Sequence, residues 1–304
     1  MSIEVKDIHF SYGKIKALDG INLNLPKGAI GLLGPNGAGK STLIRILLGF
    51  LSPHRGEGRI LGYDIKTQQH MIRRYVGYMP EDDCAIPGMD AVSFTCYLGE
   101  LSGMPHQEAM KRAHEVLFYV GLEESRYRML ETYSRGMRQR LKLAQAIVHD
   151  PKLIFLDEPS SGLDPHGRKE ILKLIMDISS KKDIQVLISS HILSDIEATC
   201  SHVVILNKGR IVTEGEMNVL KQIRYNLYEM KIKGESAEYF RKLQEMQCKV
   251  DYLDDGIWKV YMPPEMNSQE IFKLAVEERV QIRYFMKSQT SLEDLFAKAV
   301  GIEG

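Results

Sequence analysis

One short glycine-rich stretch restricts the possible folds of this chain more than any other feature. It reads Gly34-Pro35-Asn36-Gly37-Ala38-Gly39-Lys40-Ser41 and matches the pattern G-x-x-x-x-G-K-[ST]. A chance glycine-rich turn is the alternative interpretation. However, an apolar, strand-like run at 29–33 precedes the stretch, and an apolar helical pattern at 41–50 follows it. That context predicts a phosphate-binding loop between a strand and a helix.

The residue types of this loop fit that chemistry. Glycines allow backbone N–H groups to turn inward around phosphate oxygens, and the helix that follows directs its positive end at the same place. We expect Lys40 to reach the β- and γ-phosphates of a nucleotide and the hydroxyl of Ser41 to ligate Mg²⁺. Thr42 is a second candidate for a phosphate contact.

Two neighbouring carboxylates follow a second apolar run. Residues 153–156 read Leu-Ile-Phe-Leu, and Asp157 and Glu158 come directly after them. Ligands bind at the carboxyl ends of the strands in an open α/β sheet. We therefore expect Asp157 to hold Mg²⁺, directly or through water, and Glu158 to orient and deprotonate an attacking water. An ordinary acidic turn after a strand is the alternative.

Two further polar residues stand beside predicted elements. His191 follows the apolar run 186–190 and could hydrogen-bond a γ-phosphate or the attacking water. Ser134 precedes a helical pattern, where it and the first N–H groups of the helix could bind an anion. Taken alone, His191 is interpreted as structural and Ser134 as a helix N-cap. Lys142, further along that helix, is expected on a solvated face.

The order of apolar runs predicts an α/β core followed by a smaller unit. Short continuous apolar strands that alternate with helical segments are typical of a parallel sheet covered on both faces. Residues 82–133 carry helical patterns without a strong strand and are interpreted as a helical insertion. We predict one domain at 1–219 and a second at 220–304, with the order β-α-β-β-α-β of a ferredoxin-like unit and a final helix at 292–300.

Composition excludes several classes of protein. Lys and Arg number 40, and Asp and Glu also number 40, so no net charge attracts nucleic acid and we expect no nucleic-acid partner. No apolar run approaches the roughly 18 to 20 residues that span a bilayer, so action at a membrane requires a partner. The four cysteines form no Cys-x-x-Cys pair, which indicates neither a disulfide framework nor a zinc motif and fits a reducing cytosol.

Taken in order, these motifs resemble those of the nucleotide-binding subunit of ATP-binding cassette (ABC) transporters, over about residues 2–219. Residues 34–41 match the Walker A motif, Asp157 and Glu158 match Walker B and the catalytic glutamate, and His191 matches the switch histidine. The run Ser134-Arg135-Gly136-Met137 is similar to the family signature, and Ser161-Gly162-Leu163-Asp164 to the D-loop. Tyr12 stands where the family stacks an aromatic ring on adenine.

The resemblance implies a shared active site. In this family two cassettes meet head to tail, and ATP lies between the Walker A loop of one and the signature of the other. Tyr12, Ser134, Gly136 and Asp164 are thereby implied as nucleotide contacts, and hydrolysis opens the dimer. A homodimer and a heterodimer both remain open. The membrane permease is implied as a separate chain, with this protein peripheral at the cytoplasmic face of the cell membrane.

Two departures from the family pattern affect the site. Glu81 stands where the family usually has a glutamine that contacts Mg²⁺ and the membrane partner, so Glu81 is either a metal ligand or a plain surface residue. Tyr133 and Arg135 replace the usual leucine and glycine of the signature. Arg135 either lies near the γ-phosphate or points to solvent.

The variant signature, Glu81 and the run Ser291-Leu292-Glu293-Asp294-Leu295-Phe296 resemble the subgroup that serves ABC-2-type exporters. The resemblance implies an ATP-hydrolysing subunit that is coupled through the helical insertion to a permease, with a C-terminal domain interpreted as a packing module. Phe94, Tyr97 and Leu98 either contact the permease or form the core of the insertion.

Three other functions are weaker interpretations. Soluble translation factors of the superfamily usually carry two cassettes, whereas this chain has one. DNA-repair ATPases insert a long coiled coil, and no sustained heptads occur here. A P-loop kinase has no use for residues 134–137, and it would transfer phosphate to a small molecule rather than release it without a second substrate.

Overall fold

A computed structural model describes residues 3–181, 184–222, 226–233, 237–252, 256–263 and 266–287. The chain divides into two compact units, Met1–Met217 and Asn218–Gly304. The helix predicted at 292–300 lies outside the described residues.

The elements alternate along the chain. The strands are β1 (Ile3–Tyr12), β2 (Ile15–Leu25), β3 (Ala29–Leu33), β4 (Arg55–Ile60), β5 (Tyr63–Asp64), β6 (Val76–Met79), β7 (Leu153–Asp157), β8 (Gln185–Ser190), β9 (His202–Asn207), β10 (Arg210–Glu216), β11 (Asn226–Lys233), β12 (Lys249–Tyr252), β13 (Ile257–Met262) and β14 (Gln281–Lys287). The helices are α1 (Lys40–Leu47), α2 (Gln69–Tyr75), α3 (Ala91–Leu101), α4 (His106–Tyr119), α5 (Arg135–Ile147), α6 (Pro165–Lys181), α7 (Leu193–Thr199), α8 (Met217–Gln222), α9 (Ala237–Glu245) and α10 (Ser268–Glu277). Within the described ranges, none of these helices is long and apolar enough to cross a membrane.

A six-stranded sheet with the order β10-β9-β3-β8-β7-β6 forms the centre of the first unit. Its strands are parallel except β10, which pairs antiparallel with β9. Every residue of β3 and β7 is buried, as expected for strands covered on both faces. In the sheet register Leu33 pairs with Ser190 and Asp157 with Ser189, so the carboxyl ends of β3, β7 and β8 lie at one edge.

An antiparallel sheet with the order β2-β1-β4-β5 packs against the first sheet through a common core with α1. The alternation of buried and exposed residues in β1 and β2 matches the sequence pattern. The short strands β4 and β5 were not predicted because glycines interrupt the pattern. Gly58 is required there, since a Cβ atom at this position would lie 2.7 Å from Cγ1 of Val5.

The helical insertion forms a hairpin of α3 and α4. Helix α3 begins after Asp90, whose carboxylate caps it by accepting a hydrogen bond from the N–H of Ser93 (2.7 Å). Phe94 is buried, which supports its interpretation as core, whereas Tyr97 is 42% exposed.

The second unit has the strand order β12-β13-β11-β14. Numbered in chain order within the unit, this is 2-3-1-4, the arrangement of a ferredoxin-like sheet. Met230, Tyr239, Val260 and Ile271 form part of its own buried core with α9 and α10. The predicted fold class is confirmed: an α/β cassette with mixed strand directions and a helical insertion, followed by a small α+β unit.

Candidate functional site

The glycine-rich loop joins β3 to α1 and depends on glycine at defined positions. Gly37 and Gly39 have φ angles of 79° and 107°, in the left-handed region that favours glycine. A Cβ atom on Gly39 would lie 2.6 Å from the carbonyl oxygen of Ala17. The turn at residues 35–38 is closed by a hydrogen bond from the N–H of Ala38 to the carbonyl of Pro35 (3.1 Å). Asn36 is exposed at its tip.

Lys40 extends its side chain into this loop. Nζ donates a hydrogen bond to the carbonyl of Gly34 at 2.7 Å and lies 3.3 Å from the carbonyl of Pro35. The side chain is only 6% exposed. Ser41 and Thr42 follow in the first turn of α1 and are half-buried. The loop therefore holds a buried cation beside the start of a helix, which is an arrangement suited to phosphate.

Asp157 and Glu158 lie where β7 ends. Asp157 is buried, and the hydroxyl of Ser189 on β8 donates a hydrogen bond to its Oδ1. Glu158 has a φ angle of 50°, a conformation that costs a non-glycine residue on the order of 1 kcal/mol. The Glu158 N–H donates to the carbonyl of Ser189 (3.1 Å), which fixes this turn.

The carboxylate of Glu158 lies between Lys40 and His191. Oε1 is 3.3 Å from Nζ of Lys40, and Oε2 is 2.8 Å from Nδ1 of His191. Because an ionised carboxylate only accepts hydrogen bonds, Nδ1 of His191 is the donor in this contact and carries a hydrogen. Oε1 is buried and accepts no hydrogen bond from the described residues. One oxygen is thus held in place while the other retains its capacity to accept a proton.

Tyr12 stands at the end of β1, 45% exposed. Its ring meets Phe10 edge to face, with centroids 4.9 Å apart. Phe10 in turn stacks on His54 with centroids 4.9 Å apart. The ring of Tyr12 therefore packs against Phe10, and its exposed part can stack on a base.

Ser134, Gly136 and Asp164 form a second group of predicted site residues. Ser134 is the N-cap of α5, and its hydroxyl accepts from the N–H of Met137 (3.3 Å). Gly136 lies in the first turn of α5 and faces Leu163. Asp164 accepts from the N–H of Gly167 (2.7 Å) at the start of α6. This signature group lies at two helix starts, whereas Lys40, Asp157, Glu158 and His191 meet at the sheet edge.

The two groups are joined through the segment after β7. The N–H of Ser161 donates to the carbonyl of Glu158 (3.1 Å). The side-chain amide of the buried Gln139 on α5 donates to the carbonyl of Ser161 (3.3 Å). Any shift of this segment therefore affects both the buried carboxylate and α5.

Arg135 packs on the same segment. A Cβ atom added to Gly162 would lie 1.7 Å from Cζ of Arg135, so the guanidinium covers this glycine. Sequence left the direction of Arg135 open, and the structure places it against the D-loop of its own chain.

We expect Gly162→Ala to lower the free energy of unfolding of the protein by about 1–2 kcal/mol and to lower its melting temperature accordingly. The φ angle of Gly162 is 68°, which an alanine adopts at a cost, and the new methyl group must also displace Arg135. Gly136→Ala is the matched control, since its nearest neighbour, Cδ2 of Leu163, would be 4.0 Å from the Cβ atom. Equal melting temperatures for the two variants would contradict this packing.

Glu81 is exposed, and its backbone is held by a hydrogen bond. Its carbonyl accepts from Nζ of Lys142 (2.7 Å). Glu81 lines a pocket of about 470 Å³ together with Arg135, Gln139 and Ser161. Its role as a metal ligand stays a prediction.

Lys142 was wrongly expected on a solvated face, because it is buried. Burial lowers the pKa of its ammonium group, and the nearby Asp83 (3.8 Å) opposes that shift. No local pattern predicts this burial, since Lys142 belongs to a run of basic residues on α5.

Two other polar residues that support the site were not predicted. Ser189 holds Asp157, and only the register of β7 against β8 reveals that pairing. Asp195 on α7 is buried, accepts from the hydroxyl of Ser160 and pairs with Nε of Arg168 (2.5 Å). A carboxylate within the apolar pattern of α7 was the available signal. Asp195 links the segment after β7 to the helix after His191.

Comparison with known proteins gives a consistent result. Residues 18–161 match the family described as ABC transporter. The bacitracin transport ATP-binding protein BcrA of Bacillus licheniformis is 34% identical over 303 residues, which are 98% of this chain and 97% of BcrA. The daunorubicin/doxorubicin resistance ATP-binding protein DrrA of Streptomyces peucetius is 29% identical, over 99% of this chain and 92% of DrrA. A solved ATP-binding subunit of an ABC transporter superposes with a TM-score of 0.65 and 28% identity, covering 73% of this chain and 92% of that subunit.

Proposed function

This chain belongs to the ABC transporter family, and from that premise we propose that it is the Mg·ATP-hydrolysing subunit of an exporter of the ABC-2 type, whose membrane permease is a separate chain. The protein is an ABC ATPase cassette. The alternative of a soluble translation or repair factor is disfavoured, because the similarity of this protein to a transport protein extends over nearly the whole chain.

The observation that carries the proposal is the position of Glu158 between Lys40 and His191 at the carboxyl end of β7. Lys40 binds the β- and γ-phosphates. Oε1 of Glu158, which accepts no hydrogen bond from the described residues and lies 3.3 Å from Nζ of Lys40, takes the proton of the attacking water. His191 donates to Oε2, keeps the carboxylate oriented and contacts the γ-phosphate.

The donor set at this edge fits Mg²⁺. Asp157 supplies a carboxylate held by Ser189, and Ser41 supplies a hydroxyl at the start of α1. Oxygen ligands of this kind suit a hard divalent cation, and Glu81 is a further proposed ligand. These residues would hold Mg²⁺, which would neutralise charge on the β- and γ-phosphates while the γ-phosphoryl group passes to water.

We propose that the signature group completes the site of another cassette. Ser134 and Gly136 lie at the N-terminus of α5, where N–H groups favour anions, and Asp164 borders them at the start of α6. These three residues lie at helix starts, whereas the side chains of Lys40 and Glu158 meet at the carboxyl ends of the sheet strands. A second copy of this chain, or a related cassette, supplies the complementary half, and Tyr12 stacks on the adenine.

The permease is proposed to dock in a groove of about 670 Å³ between α2 and α3. Arg73 and Arg74 line it from α2, and Leu98 and Leu101 from α3. A basic and apolar lining fits an acidic amphipathic segment. The helical insertion, 82–133, thereby transmits cassette motion from the cytoplasmic face of the membrane.

Charge reversal in this groove tests the docking proposal. In cells that make the chain together with its permease, we expect Arg74→Glu to lower the membrane-bound fraction about tenfold, since a like charge at an interface costs more than 1 kcal/mol. Hydrolysis by the purified chain should not change. Lys169→Glu, an exposed lysine on α6, is the matched control. Equal membrane binding of the two variants would remove the groove as the docking site.

The proposed function is tested by phosphate release and by export together. The purified chain should hydrolyse ATP only with Mg²⁺, and cells with an inactivated chain should lose resistance to an exported compound. Antibiotics are the first compounds to test, because relatives are named for bacitracin transport and for daunorubicin/doxorubicin resistance. Hydrolysis that requires a nucleic acid or a small-molecule phosphate acceptor would refute it.

A further inference from the structure

Three potential metal ligands of different kinds converge in the α3–α4 hairpin, away from the proposed nucleotide site. Cys96 and Glu100 lie four residues apart on α3, and His106 is the first residue of α4. Within the described ranges they form a group whose ligand atoms all lie within 4.8 Å of one another.

Two of the three separations are close to those of tetrahedral coordination. Sγ of Cys96 is 4.0 Å from Oε1 of Glu100 and 3.9 Å from Nδ1 of His106. Bond lengths of about 2.3 Å to sulfur and about 2.0 Å to nitrogen or oxygen place such ligand atoms roughly 3.5 Å apart around Zn²⁺. Oε1 of Glu100 and Nδ1 of His106 are in direct contact. A cation between them requires only a small rotation of two side chains that are exposed at 38% and 68%.

The backbone holds the three residues together. The N–H of Met104 donates to the carbonyl of Gly99 (3.2 Å), and the N–H of Gly103 to the carbonyl of Glu100 (2.8 Å). Gly103 adopts a φ angle of 95°, which allows this tight return of the chain. His106 is thereby brought back over the last turns of α3, so the ligands come from a hairpin that is already closed.

The two sides of the site differ in their exposure to solvent. Cys96 is buried at 3% exposure among Ala109 and Ala113, so its sulfur is fixed by packing. Glu100 and His106 face solvent and leave a path for an ion to enter. Thiolate and imidazole ligands favour Zn²⁺ over Mg²⁺ or Ca²⁺, which prefer oxygen ligands.

We propose that Cys96, Glu100 and His106 bind one Zn²⁺ ion, with water as the fourth ligand. The thiol proton of Cys96 passes to solvent when the sulfur coordinates, as does any proton shared by His106 and Glu100. The ion links the end of α3 to the start of α4. Leu98 and Leu101, on the same turns of α3, line the groove between α2 and α3, so zinc stiffens that wall. An effect of zinc on the permease rests on the proposed docking in this groove, whereas the zinc site itself does not.

The experiment uses the full chain without a polyhistidine tag, stripped of metal and free of nucleotide. Zn²⁺ is titrated by competition with a chromogenic chelator, and Co²⁺ replaces it as a spectroscopic probe. We expect one equivalent of Zn²⁺ and a thiolate-to-cobalt charge-transfer band. His106→Gln should weaken binding by more than about tenfold, which is the loss that even an outer-shell partner typically causes. Cys96→Ala should remove the charge-transfer band.

Controls separate this site from ordinary surface binding and from misfolding. His166 pairs with Glu170 at 3.5 Å without a cysteine, so His166→Gln should bind Zn²⁺ like the unmodified protein. Cys84→Ser removes an exposed thiol outside the cluster and should keep the cobalt band. His106 is exposed, so its variant should keep the circular dichroism spectrum of the unmodified chain. Zinc binding by His106→Gln as tight as that of the unmodified protein would overturn the proposal, and so would the absence of a cobalt band that depends on Cys96.

Discussion

Glu158→Gln is expected to lower the rate of ATP hydrolysis by at least about 100-fold, which is the lower end of what a positioned general base contributes. The change removes one negative charge and the capacity to accept a proton, but it keeps the size of the side chain. The amide oxygen can still accept from Nδ1 of His191, which is 2.8 Å from Oε2 in the unmodified protein. ATP affinity should therefore remain within a few-fold of the unmodified value. Steady-state phosphate release and equilibrium nucleotide binding measure the two quantities.

Glu214→Gln provides the matched control, because it makes the same chemical change at an exposed position on β10. It should leave both quantities unchanged. If Glu158→Gln released phosphate at the normal rate, Glu158 would not be the base, and the geometry around Lys40 and His191 would need another explanation.

Lys40→Ala is expected to weaken ATP binding by about 10- to 100-fold, because hydrogen bonds to charged groups contribute about 1.5–3 kcal/mol. In the structure Nζ is already held by the carbonyl of Gly34 and does not need to be ordered when phosphate binds. The same change leaves the carboxylate of Glu158 buried without its cation, which should lower the free energy of unfolding. Calorimetric binding of ATP and thermal unfolding separate these effects.

A double variant distinguishes the two roles of Lys40. Lys40→Ala with Glu158→Gln removes both charges, so we expect stability to recover while ATP affinity stays low. Lys27→Ala, at an exposed position before β3, controls for the loss of a lysine. Unchanged ATP affinity in Lys40→Ala would contradict a direct phosphate contact.

The parts of the site that sequence predicts are those in which one local pattern fixes both the residue type and the backbone. The loop from Gly34 to Ser41 is such a case, because its glycines are required by positive φ angles and by close contacts. Asp157 and Glu158 are another. The fully apolar strand before them implies burial on both faces, so the two carboxylates are expected at the carboxyl end of an interior strand, where ligands bind.

The parts that sequence does not predict depend on pairs distant in the chain. The hydroxyl of Ser189 bonds Asp157 because β8 lies beside β7 in one register. Arg135 lies on Gly162 through the packing of α5 beside the D-loop, and no local pattern encodes that direction. Lys142 was misjudged for the same reason.

The cluster in the helical insertion illustrates this limit further. Cys96 and Glu100 are one helical turn apart, which sequence can show. Their approach to His106 depends on the conformation of the connection at 102–105, which no motif specified. Side chains that converge across a turn thus become visible only when the backbone is known.

Sedimentation of the Glu158→Gln variant tests the central claim that one ATP is held by two cassettes. With Mg·ATP the variant should sediment as a dimer, and with ADP as a monomer. The variant that also carries Ser134→Arg should bind ATP with the same affinity and remain a monomer, because the contact proposed for Ser134 is with the partner's nucleotide. ATP-dependent dimers that form equally well with arginine at position 134 would contradict the account.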